Sequence, residues 1–293
     1  MRLGLGLWAA WAGARLVLAD DRSEPERAAR LHEELRARCR FVLGPYGSDS
    51  TRAVALASVG SVVWNHGAAA DDVQRLPGVV SVPSPASEYL AAVARMLPTG
   101  CRIAVVAARG PFARFAVEGL GAADRFSFSD RPLEIAALGP DAVLACGPLE
   151  QEVALFRALR PLLPAAVLGG VSPGLAAFPE ALGADPEGLL APVQWHPDAR
   201  AEPELGPGSA EVVAAAGGPI DYVAAQAYTA ALVAERCLEL SPEDPLSAAR
   251  ALRTTTFFGA FELAPDGLQV GHRLAVVRWR GGRQELLRAS SPD

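Results

Sequence analysis

The chain has 293 residues, a formal net charge of −6 and 51% hydrophobic residues, which is enough for one large domain or two ordinary ones. A nucleic-acid surface needs clustered positive charge, whereas the 27 basic residues here are scattered among 33 acids, so the composition argues against that partner. The 4 cysteines form no CxxC pair and the 4 histidines lack metal-ligand spacing, and we expect neither a metal site nor a cofactor.

The N-terminal stretch MRLGLGLWAAWAGARLVLADD allows two interpretations. A positive residue, an uncharged run and the sequence Val17-Leu18-Ala19, which resembles a small-residue cleavage site, are features of a short signal peptide. Against this, Arg15 interrupts the apolar region, and the residues that follow it have the pattern of a strand ending in an acidic turn. We therefore predict the end of a helix over residues 3–11 and a strand over residues 15–19.

The segment FVLGPYGSDST, residues 41–51, runs from an apolar strand-like stretch through a loop of glycines and hydroxyls into a helix. Such a loop directs N–H groups and hydroxyls at one small volume at a helix N-terminus, which suits an anion. A Walker A nucleotide site is excluded because it requires a lysine, and the sequence has none. Helix capping by Ser48 or Asp49 would also explain these residues.

A short apolar run, a loop of small residues and a helical segment recur six times along the chain. The apolar runs are RLVLA, RFVL, SVVWN, RIAVVA, DAVLAC and AAVLGG. Alternating strands and helices predict a parallel sheet with helices on both faces, and ligands of such folds bind at the carboxyl ends of the strands. Because one sheet rarely needs all six units and Pro98-Thr99-Gly100 interrupts the chain midway, we divide the units between two lobes.

Strand signals become sparse after Ala184. The segment PIDYVAAQAYTAALVAERCLEL predicts one long helix, because its apolar residues recur at helical spacing. The C-terminal region predicts two strands around turns at residues 265–267 and 281–282.

The order and spacing of several motifs resemble the leucine/isoleucine/valine-binding family of ABC-transporter solute receptors. The motifs are LADDRSEPERAARLHEEL, VLGPYGSDSTRAVA, SVPSPASEYLAAVARML, RIAVVAARGPFARFAVEGL, DYVAAQAYTAALVAERCLE and FFGAFELAPDG, which together extend over nearly the whole chain. The resemblance implies an α/β, two-lobed type I periplasmic-binding-protein-like fold, each lobe a mainly parallel sheet flanked by helices. The expected first lobe is residues 1–98 plus 219–268, and the second is residues 99–218 plus 269–293.

The same resemblance implies a receptor that closes its lobes over a small amino-acid-like or other polar ligand and performs no catalysis. It implies an ABC-transporter membrane permease as partner, an extracytoplasmic location and a monomer or weak dimer. The sequence contains no convincing signal peptide, so a cytoplasmic location stays open.

The residues that match the family's ligand loops follow strand ends, and Ser48 is our first choice among them. The expected ligand-binding residues are Tyr46, Ser48, Asn65, His66, Gly67, Ala68, Phe112, Gly147 and Ser172. Three departures leave the ligand class open. Asp49 places a negative charge beside the expected carboxylate site, Ala69 replaces a hydroxyl, and the loop 171–174 has no acid to pair with a ligand ammonium.

A fourth departure is that family members begin with a strand ahead of the first helix, whereas here only the end of that helix is recognised. Without that strand, the predicted strand over residues 15–19 would lose its neighbour. We expect a fragment, a gene model that starts too late, or a degenerate family member.

His66 would suit a pH-sensitive contact or an acid/base group, but with no nucleophile or paired carboxylate nearby in sequence we favour a loop histidine bonded to backbone. We assign Trp64 to the core, and Glu150 and Glu152 to the first turn of a helix, where the helix dipole favours acids.

Two other functions compete with the receptor. A cytoplasmic ligand sensor with the same fold would suit a real absence of signal peptide. An α/β hydrolase is more distant, because the sequence has no GxSxG nucleophile elbow.

Overall fold

The computed structural model of the chain describes residues 1–199 and 201–287. Its helices are α1 Arg2–Ala12, α2 Pro25–Arg36, α3 Ser48–Ala57, α4 Asp71–Gln74, α5 Ser87–Ala94, α6 Pro111–Leu120, α7 Pro132–Ala137, α8 Leu149–Leu159, α9 Phe178–Leu182, α10 Ser209–Ala215, α11 Tyr222–Leu240 and α12 Pro245–Ala251, with a short 3-10 helix at Ser172–Gly174. Its strands are β1 Val63–Asn65, β2 Val79–Ser81, β3 Ile103–Ala107, β4 Asp124–Phe126, β5 Ala142–Cys146, β6 Val167–Gly170, β7 Leu190–Val193, β8 Thr254–Thr256, β9 Gly259–Phe261, β10 Ala275–Arg280 and β11 Arg283–Leu287. None of the helices in these ranges has the length and apolar character needed to cross a membrane.

The chain divides into two compact units. Unit 1 comprises Met1–Pro85 and Gln194–Arg273, and unit 2 comprises Ala86–Val193 and residues 274–287. These boundaries differ from the predicted ones, because residues 86–98 fall in unit 2 and residues 194–218 and 269–273 fall in unit 1. Residues 86–98 belong to unit 2 because α5 lies so close to α6 that a Cβ at Gly119 would overlap the carbonyl oxygen of Ser87. The segment that contains α10 belongs to unit 1 because Val212 of α10 is part of the core of that unit.

Helix α11 forms the interior of unit 1 and confirms the predicted long helix. It begins where the Asp221 carboxylate accepts a hydrogen bond from the Ala224 N–H at 2.7 Å, a typical N-cap. Helix α1 packs directly on it, since a Cβ at Gly4 would overlap the carbonyl oxygen of Ala224, and Leu5 and Trp8 are buried there. The predicted N-terminal helix is therefore part of the unit 1 core.

The parallel sheet of unit 1 is small. Strands β1 and β2 pair in parallel, with Val63 opposite Val79, and residues 41–43 contribute a single parallel bridge from Leu43 to Trp64. Trp64 is buried, as predicted. A mainly parallel sheet was expected in both lobes, and in unit 1 it is reduced to this pair and bridge.

The strand predicted over residues 15–19 is wrong. The backbone N–H and C=O groups of these residues form no hydrogen bond to any other described residue. A cavity of about 600 Å³ has residues 14–21 and 38–46 among its lining, so the segment has no neighbour with which to form a ladder. Val17 and Leu18 are exposed as a result.

Unit 2 contains a seven-stranded sheet in the order β11-β10-β7-β6-β5-β3-β4. Strands β3 to β7 are parallel, whereas β10 is antiparallel to both β7 and β11. The hairpin of β10 and β11 at Gly281-Gly282 confirms the predicted C-terminal turn. Alternate residues of β5 enter different cores: Val143 packs with Phe156 of α8, and Leu144 packs with Leu90 of α5. Helices therefore cover both faces, as predicted for a buried parallel sheet.

Candidate functional site

Two loops of unit 1 are joined where the strand-like segment 41–43 and β1 end. The Gly47 N–H donates to the Gly67 carbonyl at 3.3 Å, and the Ala70 N–H donates to Ser48 Oγ at 3.2 Å. Gly47 is the N-cap of α3 with a φ of 101°, a conformation that favours glycine, and no side chain caps the helix. Capping by Ser48 or Asp49 is therefore wrong, and the Ser48 hydroxyl instead links the two loops.

Several donors of these loops have no acceptor in the part of the chain that the structure describes. The N–H groups of Ser48, Asp49 and Ser50 at the start of α3, and of Ala69 in the second loop, form no hydrogen bond to another described residue. Ser48 Oγ accepts a bond from Ala70, which leaves its own hydrogen available to donate. This arrangement suits an anionic group at a helix N-terminus. The Asp49 residue itself is exposed.

Asn65 is completely buried, and its side chain shapes the second loop. Its Oδ1 accepts from the N–H groups of Gly67 and Ala68 at 3.0 and 2.7 Å. Its Nδ2 donates to the Ala68 carbonyl and to Ser81 Oγ, both at 2.7 Å. All four hydrogen-bonding positions of the amide are thus used inside unit 1, so Asn65 positions the loop.

His66 is fully buried and differs from the prediction of a backbone-bonded histidine. Its Nε2 lies 2.7 Å from Met1 Sδ, and its Nδ1 has no hydrogen-bond partner among the described residues. Burial lowers the pKa of His66 to about 4, with the nearby N-terminal ammonium as a smaller cause, so the imidazole is neutral at pH 7. The Tyr46 ring meets it edge-on with ring centres 6.2 Å apart.

Tyr46 covers the second loop from outside. A Cβ at Gly67 would overlap the Tyr46 ring, so only glycine permits this close packing. The ring is 44% exposed, which leaves it an apolar wall beside the Ser48 loop. In unit 1, therefore, the structure brings together all six predicted residues, Tyr46, Ser48, Asn65, His66, Gly67 and Ala68.

The three predicted residues of unit 2 follow neighbouring strands of its sheet. Phe112 lies in the first turn of α6 after β3, Gly147 follows β5, and Ser172 begins the 3-10 helix after β6. Phe112 packs edge-on against Tyr89 of α5, with ring centres 5.0 Å apart. Such carboxyl ends of parallel strands are where open α/β sheets bind ligands.

Glu152 joins two of these loops, and its position was not predicted. Its Oε1 accepts from the Gly147 N–H at 2.8 Å and its Oε2 from the Ser172 N–H at 2.9 Å. The carboxyl group is completely buried, and this desolvation raises the pKa of Glu152 to about 8 despite the opposing effect of its hydrogen bonds. The helix-dipole explanation of Glu152 is therefore incomplete, because the residue holds Gly147 and Ser172 at a fixed separation.

Phe128 was also missed. A Cβ at Gly147 would overlap the Phe128 ring, so the aromatic side chain packs directly on that loop. The sequence shows Glu152 as an acid four residues after the N-cap Pro148, which does not reveal its partners, and it gave no sign of Phe128. Among the described residues, no cluster of three His, Cys, Asp or Glu side chains has the arrangement needed for a metal ion.

No protein-family model matches the sequence, and no curated protein matches it. The structure is similar to a leucine-binding protein from Thermotoga maritima, with a TM-score of 0.80, 17% identity, and coverage of 98% of this chain and 92% of that chain. It is similar to an ABC-transporter solute binding protein from R. palustris in complex with benzoate, with a TM-score of 0.75, 19% identity, and coverage of 98% and 89%. It is also similar to a periplasmic binding protein type 1 from Bordetella pertussis, with a TM-score of 0.74, 17% identity, and coverage of 98% and 92%.

Proposed function

We propose that this chain, which has the fold of type I periplasmic binding proteins, is the solute-binding receptor of an ABC importer. Its ligand is a small molecule with a carboxylate, amino-acid-like or otherwise polar, on which the two units close. The observation that carries the proposal is the pair of joined loops in unit 1, where a hydroxyl and free N–H groups converge at a helix N-terminus.

A carboxylate fits the donors of these loops better than a neutral group does. The Ser48 hydroxyl and the N–H groups of Ser48, Asp49 and Ala69 are donors without an acceptor in the described chain. Hydrogen bonds to a charged acceptor are roughly twice as strong as those between neutral groups. Ser48 is therefore the primary ligand contact, with Tyr46 as an apolar wall and Asn65 as the residue that orders the second loop.

Unit 2 supplies a second set of candidate contacts at its strand ends. We assign Phe112 as an aromatic contact, and Gly147 and Ser172 as backbone and hydroxyl contacts. Glu152 holds the latter two loops through the N–H groups of Gly147 and Ser172. Leucine and benzoate, which the similar proteins from T. maritima and R. palustris bind, differ in their need for an ammonium partner. Both carry a carboxylate, the feature that the unit 1 loops are suited to bind.

The importer role brings two further proposals. The receptor delivers its ligand to a membrane permease, and it works outside the cytoplasm. Both rest on the likeness to transporter solute-binding proteins, and neighbouring permease and ATPase genes would support them.

A thermal-denaturation series tests the proposal with matched ligands. L-leucine and benzoate are compared with leucinamide and benzamide, which keep the apolar part and lose the carboxylate. A bound ligand at about 100 times its Kd adds roughly 2.7 kcal/mol to the free energy of unfolding. We expect an acid of the series to raise the melting temperature and its amide to leave it unchanged. Equal shifts for acid and amide, or no shift with any small carboxylate, would contradict the proposal.

A further inference from the structure

The chain passes between its two units at three places, and each place has a buried polar residue of unit 1 beside it. The passages follow Pro85, precede Gln194 and follow Arg273. Ser84 lies just before the first, Gln194 stands at the second, and His272 lies just before the third. These three residues are at most 5% exposed. Most polar groups that are buried to this degree are hydrogen-bonded within the protein.

The three residues are bonded to one another. Gln194 Oε1 accepts from the Ser84 N–H at 3.0 Å, and Gln194 Nε2 donates to the Ser84 carbonyl at 3.1 Å. His272 Nε2 donates to the Gln194 carbonyl at 2.7 Å, and Ser84 Oγ donates to the His272 carbonyl at 3.1 Å. Every pair is connected, so the three segments form a closed ring, which we call the crossing lock (Ser84, Gln194 and His272).

The histidine of the crossing lock is itself fixed in place. Its ring stacks on Phe258, with ring centres 4.2 Å apart and planes 14° from parallel. Gly259 has a φ of 144°, and a Cβ at this position would lie 2.5 Å from His272 Nδ1. Glycine is therefore needed there for the His272 ring to fit. Burial lowers the pKa of His272 to about 4, which keeps the ring neutral at pH 7.

A path of buried amides connects the crossing lock to the second ligand loop of unit 1. Gln269 Oε1 accepts from the His272 N–H, and the Gln269 N–H donates to Gln74 Oε1, both at 3.2 Å. Gln74 Nε2 donates to the Ala68 carbonyl at 3.4 Å, and the Ala68 N–H donates to Asn65 Oδ1 at 2.7 Å. Hydrogen-bonded and buried groups therefore connect that loop to the crossing points without a break.

We propose that the crossing lock fixes the direction in which the three segments leave unit 1, so that the two units move about one defined hinge. Gln194 is its positioning residue, because its side-chain amide holds both backbone groups of Ser84. The path through Gln269 and Gln74 couples this hinge to the candidate ligand loop. The inference rests on the proposed function, a receptor whose units close on a ligand, and it adds the residues that control the closure.

Distance measurements between two spin labels test the crossing lock without any ligand. The labels are placed at Leu56→Cys in α3 and Leu133→Cys in α7, whose side chains are 64% and 65% exposed. Cys39 and Cys101 are partly exposed and are changed to serine, whereas Cys146 and Cys237 are buried.

The variant Gln194→Met keeps the side-chain length and removes both bonds to Ser84. Its control is Gln226→Met, since Gln226 is also buried in unit 1, on α11, and its Oε1 has no partner among the described residues. We expect a wider distance distribution with a displaced maximum for Gln194→Met, and the parent distribution for Gln226→Met.

If Gln194→Met does not unfold cooperatively, Ser84→Ala takes its place, because it removes only the bond from Ser84 Oγ to the His272 carbonyl. A folded Gln194→Met or Ser84→Ala variant with the parent distribution, or equal broadening by Gln226→Met, would overturn the proposal. Because no ligand is added, this outcome is independent of the melting series, whose failure would contradict the receptor function alone.

Discussion

Ser48 Oγ accepts a hydrogen bond from the Ala70 N–H at 3.2 Å and thereby joins the two loops in which six of the nine predicted ligand residues lie. The bond uses an oxygen lone pair of the hydroxyl and leaves its hydrogen free. The hydroxyl thus holds the two loops together, and under the proposed function its free hydrogen is the donor to the ligand.

Replacing this hydroxyl should weaken ligand binding more than it weakens the fold. Ser48→Ala removes one hydrogen bond within the protein, which lowers the free energy of unfolding by about 1 kcal/mol. It also removes a donor to a charged ligand, which weakens binding by about 1.5–3 kcal/mol, or roughly 10- to 150-fold in Kd. Titration calorimetry with the acid that shifts the melting temperature measures the second quantity.

The control for that change is Ser61→Ala. Ser61 Oγ donates to the Ser58 carbonyl at 2.8 Å, outside both ligand loops. It should lose similar stability and keep the parent Kd. Equal loss of affinity in the two variants would remove Ser48 from the site.

Glu152 should make stability depend on pH in the neutral range. Burial raises its pKa to about 8 in the folded chain, from an ordinary value of 4.5 when unfolded. The unfolded chain therefore releases this proton first, and the contribution of Glu152 is complete below pH 4.5 and is lost as the pH rises to about 8.

The comparison that measures this effect is wild type against Glu152→Gln, by denaturant unfolding from pH 4.5 to 8. As the pH rises, the free energy of unfolding of the wild type should fall relative to that of Glu152→Gln by up to about 1.4 kcal/mol per pH unit. His66 and His272 are common to both proteins, so their protonation cancels. A pH-independent difference would show that Glu152 is ionised in the folded chain.

Two glycines of α1 should respond to alanine in opposite directions. A Cβ at Gly4 would overlap the Ala224 carbonyl oxygen, whereas a Cβ at Gly6 would have no atom within 4 Å. Gly4→Ala should destabilise unit 1 by about 1–3 kcal/mol through overpacking. Gly6→Ala should stabilise it by roughly 0.5–1 kcal/mol, because alanine favours a helix. Thermal unfolding of both variants checks this, and equal effects would contradict the packing of α1 on α11.

The backbone beside the cavity of unit 1 should exchange its amide hydrogens quickly. Residues 15–19 form no backbone hydrogen bond to a described residue, whereas β3 is paired on both sides by β4 and β5. Hydrogen-exchange mass spectrometry should therefore find little protection at 15–19 and strong protection at Ile103–Ala107. Protection of residues 15–19 as strong as that of β3 would mean that the segment pairs in solution.

Several buried parallel strands and the long helix α11 were predictable from the sequence, because their patterns are local. The run AVLAC of β5 is continuously apolar because helices cover both faces of that strand. Helix α11 shows helical spacing of apolar residues over 19 residues. Strands β4 and β7 were missed because Asp124 and Arg125 make the first polar and Pro192 interrupts the second.

The candidate site was predictable where it depends on loops and not where it depends on distant contacts. The loop of Ser48 is visible in the order of its glycines and hydroxyls. The hydrogen bond between Glu152 and Ser172 joins residues that are 20 positions apart in sequence. The bond between Gln194 and Ser84 joins residues that are 110 positions apart. Such bonds are decided by the tertiary fold, so neither the bonds of Glu152 to Gly147 and Ser172 nor the crossing lock has a local sequence signal.

The most direct test of the central claim is small-angle X-ray scattering of the wild-type chain, without ligand and with the carboxylate that raises its melting temperature. If the two units close on the ligand, the radius of gyration should fall on its addition, and Ser48→Ala should need a higher ligand concentration for the same change. A scattering curve that stays the same at saturating ligand would contradict the account of a receptor that closes.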